Sequence, residues 1–195
     1  LSFILGRRAW HGYRFRRRDL RALAIRQKWD GILSGAIPPE RWRFDNVTRE
    51  SVETLLLDQL EITSLPKAEL LLACLRSSGL LDMRIFQARH MHGWRRRHAL
   101  VSLGRMRSPE VIPALAEGLD DHQRETRMAA VRGLGRLGLP EAAFPILERV
   151  VRGQLDVPAA PLQNALLSCC RLRPAILVPY VRQADDNTRP LLARV

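Results

Sequence analysis

The sequence predicts an all-α fold, a solenoid of stacked helix pairs behind a basic helical N-terminal segment. Three observations carry that reading. First, one stretch recurs at a 31-residue offset. Arg97-His98-Ala99-Leu100-Val101-Ser102-Leu103-Gly104-Arg105-Met106 aligns with Met128-Ala129-Ala130-Val131-Arg132-Gly133-Leu134-Gly135-Arg136-Leu137, and Pro109-Glu110 aligns with Pro140-Glu141. Second, the apolar residues within a copy, such as Ala99, Leu100, Leu103 and Met106, fall on one helical face. Third, 46% apolar and 27% charged residues over 195 positions give a chain able to build a real core.

The elements follow in order. Residues 1–63 form a basic N-terminal segment and residues 64–195 a repeat array. In the first part, 14–30 reads as a basic helix with Leu20, Leu23 and Trp29 on one side, and the Gly- and Pro-rich stretch 34–39 as a loop. A helix over 52–61 turns Leu55, Leu56 and Leu60 inward, with Asn46 or Thr48 as its cap. The array divides into units at about 64–94, 95–124, 125–156 and 157–186, with another starting at 187. The first of these is degenerate: a helix over 66–76 with Leu70, Leu71 and Leu75 inward, a Ser77-Ser78-Gly79 turn, and a partner helix over 81–91. In the two clear units, Gly104 and Gly135 either end the first helix or let a neighbouring helix approach closely. Ser108-Pro109 and Leu139-Pro140 place proline at the first turn of the second helix, where its missing N–H costs nothing. Leu115 and Leu119 carry the stripe on to an Asp120-Asp121 turn, which Asp185-Asp186 echoes further on. A helix pair this short cannot bury its own apolar face, so its neighbours must.

The array resembles the HEAT-repeat family, in its short bacterial form of about 31 residues. The residues carrying the resemblance are Arg97-x-Ala99-x-x-x-Leu103-Gly104, Ile112-Pro113-x-Leu115, Asp120-Asp121, Arg127-x-x-Ala130-x-x-x-Leu134-Gly135 and Phe144-Pro145-x-Leu147. The resemblance implies a right-handed α-solenoid. It also implies that Arg97 packs between repeats, bonded to the Asp of a neighbouring turn, with Asp120, Asp121 and Asp82 as candidate partners. It points to no single function, since such repeats serve scaffolds, lyases and glycosylases.

Net charge is +12, and it is uneven. Residues 1–49 hold 12 Lys and Arg against 4 acids, and residues 83–109 hold 7 Arg and no acid. A protein that wraps nucleic acid more often carries basic residues on every repeat. The N-terminal block combines Arg14, Arg16, Arg17, Arg18 and Arg21 with Tyr13, Phe15 and Trp29, a composition suited to an anionic membrane surface. It follows the apolar run Leu1-Ser2-Phe3-Ile4-Leu5, which reads as the cytoplasmic end of a transmembrane helix that precedes the first residue. No run of 18 apolar residues occurs within the chain itself.

Trp94, Arg95, Arg96 and Arg97 open a repeat helix and are the candidate binding residues. His90, His92 and His98 point to different sides of their helices and lack companions for a metal site. Cys74, Cys169 and Cys170 read as buried, reduced thiols. There is no Gly-rich phosphate loop, nucleophile elbow or carboxylate pair on a common face, so no cofactor and no catalytic residue is expected. The expected function is a non-catalytic scaffold for a protein partner at the cytoplasmic face of the cell membrane. The alternatives are a nucleic-acid-binding protein or DNA repair glycosylase, and a chromophore lyase of the HEAT-like group.

Overall fold

A computed structural model describes residues 46–63, 65–186 and 188–195, with Leu20, Leu23, Gly31 and Ser34 ahead of them. The described residues form ten α-helices and no strand. The chain divides into two compact units, up to Leu80 and from Leu81. That division falls inside the stretch 64–94 read from the sequence as one degenerate repeat.

The first unit contains α1 (Asn46–Ile62) and α2 (Leu65–Ser77), which pack on each other. Helix α1 starts six residues before the expected 52. Val52, Leu56, Leu57 and Leu60 are its buried stripe, and Leu71, Leu72, Cys74 and Leu75 are that of α2. Leu70, expected inside, is exposed. The α2 stripe centres on Leu71 and Leu75, one turn apart; Leu70 and Leu72 lie about 100° to either side of Leu71, and the buried face extends to the Leu72 side. The Ser77-Ser78-Gly79 turn closes α2 as expected. The hydroxyls of Ser77 and Ser78 donate to the carbonyls of Ala73 and Leu75 at 2.8 and 3.2 Å, and Gly79 takes φ 70°.

The second unit is built from helix pairs. It holds α3 (Leu80–His90), α4 (Gly93–Arg105), α5 (Ile112–Gly118), α6 (Arg124–Leu137), α7 (Ala143–Val151), α8 (Ala159–Cys170), α9 (Leu177–Gln183) and the short α10 (Arg189–Leu192). Helices α4, α6 and α8 are first helices of successive pairs and stack in that order, α4 on α6 and α6 on α8. Helices α5, α7 and α9 are the second helices, and α3, ahead of α4, stands in the same alternation. Each of α5, α7 and α9 is preceded by a proline-opened 3-10 turn, at Pro109–Val111, Pro140–Ala142 or Pro174–Ile176. The core is continuous through the stack. Ala99, Leu100, Leu103, Leu115, Leu119, Ala130, Leu134, Ile146, Leu147 and Leu166 are all fully buried.

Glycine decides how closely the first helices stack. A Cβ at Gly104 would lie 2.5 Å from the Cα of Gly133, and one at Gly135 would lie 2.6 Å from the Cα of Ala165. Of the two roles expected for Gly104 and Gly135, the structure uses them for close approach. The left-handed cap that ends α6 is Gly138, at φ 63°. Its counterpart 31 residues earlier is Arg107, a non-glycine residue at φ 51°.

Candidate interaction surface

Two ladders of polar contacts tie successive pairs together and determine which charges remain for a partner. Arg96 on α4 reaches the turn after α5, where its Nη1 donates to Asp121 Oδ2 at 2.6 Å. The other carboxylate oxygen of Asp121 accepts the Gln123 backbone N–H at 2.8 Å, just ahead of α6. Both side chains are largely buried, at 15% and 4% exposure. The counterpart of Arg96 on α6 is Arg127. It donates to the carbonyls of Asp121 and His122, and to the backbone and carboxylate of Asp156 ahead of α8. The second helices carry their own ladder. Arg89 pairs with Glu117 at 3.1 Å, and Arg149 grips Asp120 through two bonds of 2.6 and 2.7 Å. The Arg149 bond holds the Asp120 carboxyl below its ordinary range. Its support for folding is therefore present above the ordinary carboxylate range and lost as pH falls through the lowered value. With Asp120 mostly exposed, the effect is modest.

The inter-repeat arginine is thus Arg96, one residue before the expected Arg97. Arg97 instead donates to Gln123 Oε1 at 3.1 Å, and neither Asp120 nor Asp82 takes the expected place. The repeat offset carried the right register, because Arg127 lies 31 residues after Arg96. Three consecutive arginines obscured it. Of the candidate binding residues, Arg96 and Arg97 are therefore engaged within the array. Arg95 and Trp94 face solvent, Trp94 at 65% exposure and edge-on to His98 at 6.2 Å. His90 packs against Phe86, the ring centroids 4.6 Å apart and the planes tilted by 44°. Arg14, Arg16, Arg17, Arg18 and Arg21 lie outside the described residues.

Charge follows helix rank. The three first helices contain eight Arg and one Glu (Arg95, Arg96, Arg97, Arg105, Arg124, Arg127, Arg132, Arg136 and Glu125). The second helices α5, α7 and α9 with their 3-10 turns contain Glu110, Glu117, Glu141 and Glu148 against Arg149 and Arg182, and α3 adds Asp82, Arg84 and Arg89. The second helices also leave apolar side chains in solvent. Phe144 on α7 and Val178 on α9 each precede a helix proline and are 39% and 48% exposed, while Phe86 on α3 is 54% exposed. Glu141 and Glu148 flank Phe144 at one helical turn before and after. Sequence reading missed these exposed side chains; Phe144-Pro145 and Val178-Pro179 were a visible signal for two of them, while Ile112 at the equivalent place in α5 is half-buried.

The three cysteines are buried, as expected. Burial pushes the Cys169 thiol up to about 12, and its Sγ donates to the Leu134 carbonyl at 3.4 Å.

Residues 82–166 match the family model of HEAT repeats. No curated protein and no solved structure matches the chain. The match covers α4 to α7 whole and reaches into α3 and α8, the span that holds both glycine contacts and both arginine ladders. Residues 82–166 of this chain are HEAT repeats.

Proposed function

We propose that the chain is a non-catalytic scaffold whose second helices hold a protein partner, kept at the cytoplasmic face of a membrane by its basic N-terminal residues. HEAT repeats generally mediate protein interaction. The observation that carries the reading here is the set of solvent-exposed apolar side chains on α3, α7 and α9, Phe86, Phe144 and Val178, beside a fully buried core. An apolar side chain half in water gains on being covered, and a rigid stack loses little entropy in presenting it. Membrane attachment draws its support from the 12 basic residues among the first 49. No helix among the described residues is long and apolar enough to cross a membrane.

A photo-crosslinking residue at position 144 or 178 should capture a discrete protein partner in cells, and one at position 95 on a first helix should not. Capture from position 95 alone would contradict the reading. For attachment, removal of residues 1–30 should abolish co-sedimentation with vesicles containing anionic lipid. Equal binding by the truncated chain would contradict that part.

A further inference from the structure

The geometry points to a second binding site on the first-helix side, an open groove between α6 and α8 that takes the carboxylate side chains of an acidic protein segment. The groove has a volume of about 400 Å³. Its floor follows from the glycine contact. Gly135 contributes no side chain where α6 meets α8, and α8 answers with the methyl groups of Ala160 and Ala165, so a trench stays open above the touching backbones. Its rim is polar: Arg132 from α6, and Asn164 and Ser168 from α8, all exposed.

Arg132 differs from the arginines that build the array. Arg96, Arg127 and Arg149 are mostly buried and engage acids or carbonyls. Arg132 is exposed and has no hydrogen-bond or ion-pair partner among the described residues. It is also not a repeat position for arginine, because Val101 stands there 31 residues earlier. No acidic side chain lines the groove, and α8 carries no charged residue at all. The complement of this surface is therefore an anion with an apolar stem.

The donor set narrows the anion. A guanidinium fork grips a carboxylate in bidentate fashion, and a carboxamide and a hydroxyl on the facing wall add neutral donors. The methyl-lined floor suits the aliphatic stem of Glu or Asp. A polynucleotide would call for several unpaired cations along a backbone track, and this groove offers one. Neither Phe144 nor Val178 lines the groove, so the site does not rest on the second-helix reading.

The test is fluorescence anisotropy of the full chain at 150 mM salt, with a fluorescein-labelled peptide of alternating Glu and Leu as probe. The expected result is saturable binding that Arg132→Ala weakens at least tenfold, that Arg132→Lys restores in part, and that Asn164→Ala weakens severalfold. Arg152→Ala, an exposed arginine after α7, should leave affinity unchanged. Unchanged circular dichroism melts would show that each variant is folded. Equal losses from Arg132→Ala and Arg152→Ala would reduce the binding to general charge and overturn the site. So would tighter, Arg132-dependent binding of a 20-base-pair DNA duplex, or no peptide binding below millimolar concentration.

Discussion

The first helices and the second helices of the array solve opposite problems. Helices α4, α6 and α8 meet backbone to backbone through Gly104, Gly133, Gly135 and Ala165, and many of their arginines are held in inter-pair contacts. Helices α5, α7 and α9 start on proline turns, carry with those turns four Glu against the single Glu of the first helices, and leave Phe144 and Val178 in water. Close backbone contact is thus concentrated in one row, and the protein-docking surface proposed above lies on the other. A repeat protein can separate the two because each pair contacts only its neighbours, so that a side chain outside the stacking contact is free to vary.

The largest effects should come from the first-helix row. Ala130 is fully buried, so Ala130→Arg should abolish the folded array, seen as loss of helical circular dichroism. A variant that melts like the parent would break the helix register. Leu134→Ala should cost about 2–5 kcal/mol in urea denaturation, because the backbone contacts around it restrict collapse of the cavity. Asp121→Ala strips the Gln123 N–H of its acceptor, leaves the Arg96 guanidinium only the Glu117 carbonyl, and should cost about 3 kcal/mol. Arg97→Ala, losing one bond to Gln123, should stay within about 1 kcal/mol. The reverse order would restore Arg97 as the repeat arginine.

How much of this was legible in the sequence depends on the kind of contact. Ala99 with Ala130, and Leu103 with Leu134, showed the stack directly, since burial follows helical periodicity. The Arg96 ladder was legible only through the 31-residue offset from Arg127, because composition cannot choose among Arg95, Arg96 and Arg97. Gly133 gave no signal. Ser102 holds the equivalent place in the preceding pair, and a backbone approach depends on where a second helix comes to lie. The Arg132 groove was hidden for the same reason, its walls coming from residues about 30 positions apart. Leu70 shows the limit of periodicity itself: within three consecutive leucines, Leu70-Leu71-Leu72, the sequence does not say which one faces outward.

Two smaller effects sharpen the contrast between the rows. Cys169 on α8 stays neutral in the folded chain up to about 12, against an ordinary value of 9.0. Between those values the unfolded chain binds fewer protons than the folded one, so stability falls as pH rises from about 9 towards 12. The melting temperature should therefore drop more between pH 8 and pH 10.5 for the parent than for Cys169→Ala. Equal drops would place the alkaline sensitivity elsewhere. The smallest effect is a gain. Arg107 holds a left-handed backbone at φ 51° where the next pair has Gly138, so Arg107→Gly should stabilise the array by about 0.5–1 kcal/mol in the same urea assay. A loss of stability would show that the Arg107 side chain outweighs its backbone strain.

The division between the rows is tested most directly by urea denaturation of two single variants, Gly104→Val on a first helix and Phe144→Ser on a second. A Cβ at Gly104 would lie 2.5 Å from the Gly133 Cα, so a side chain there must push α6 away, and the expected cost is about 3 kcal/mol or more. Phe144 is already 39% exposed at the edge of its helix, and its replacement should cost about 1 kcal/mol or less. A Phe144→Ser loss as large as that of Gly104→Val would contradict the account, since the second-helix row would then be holding the stack together rather than standing free for a partner.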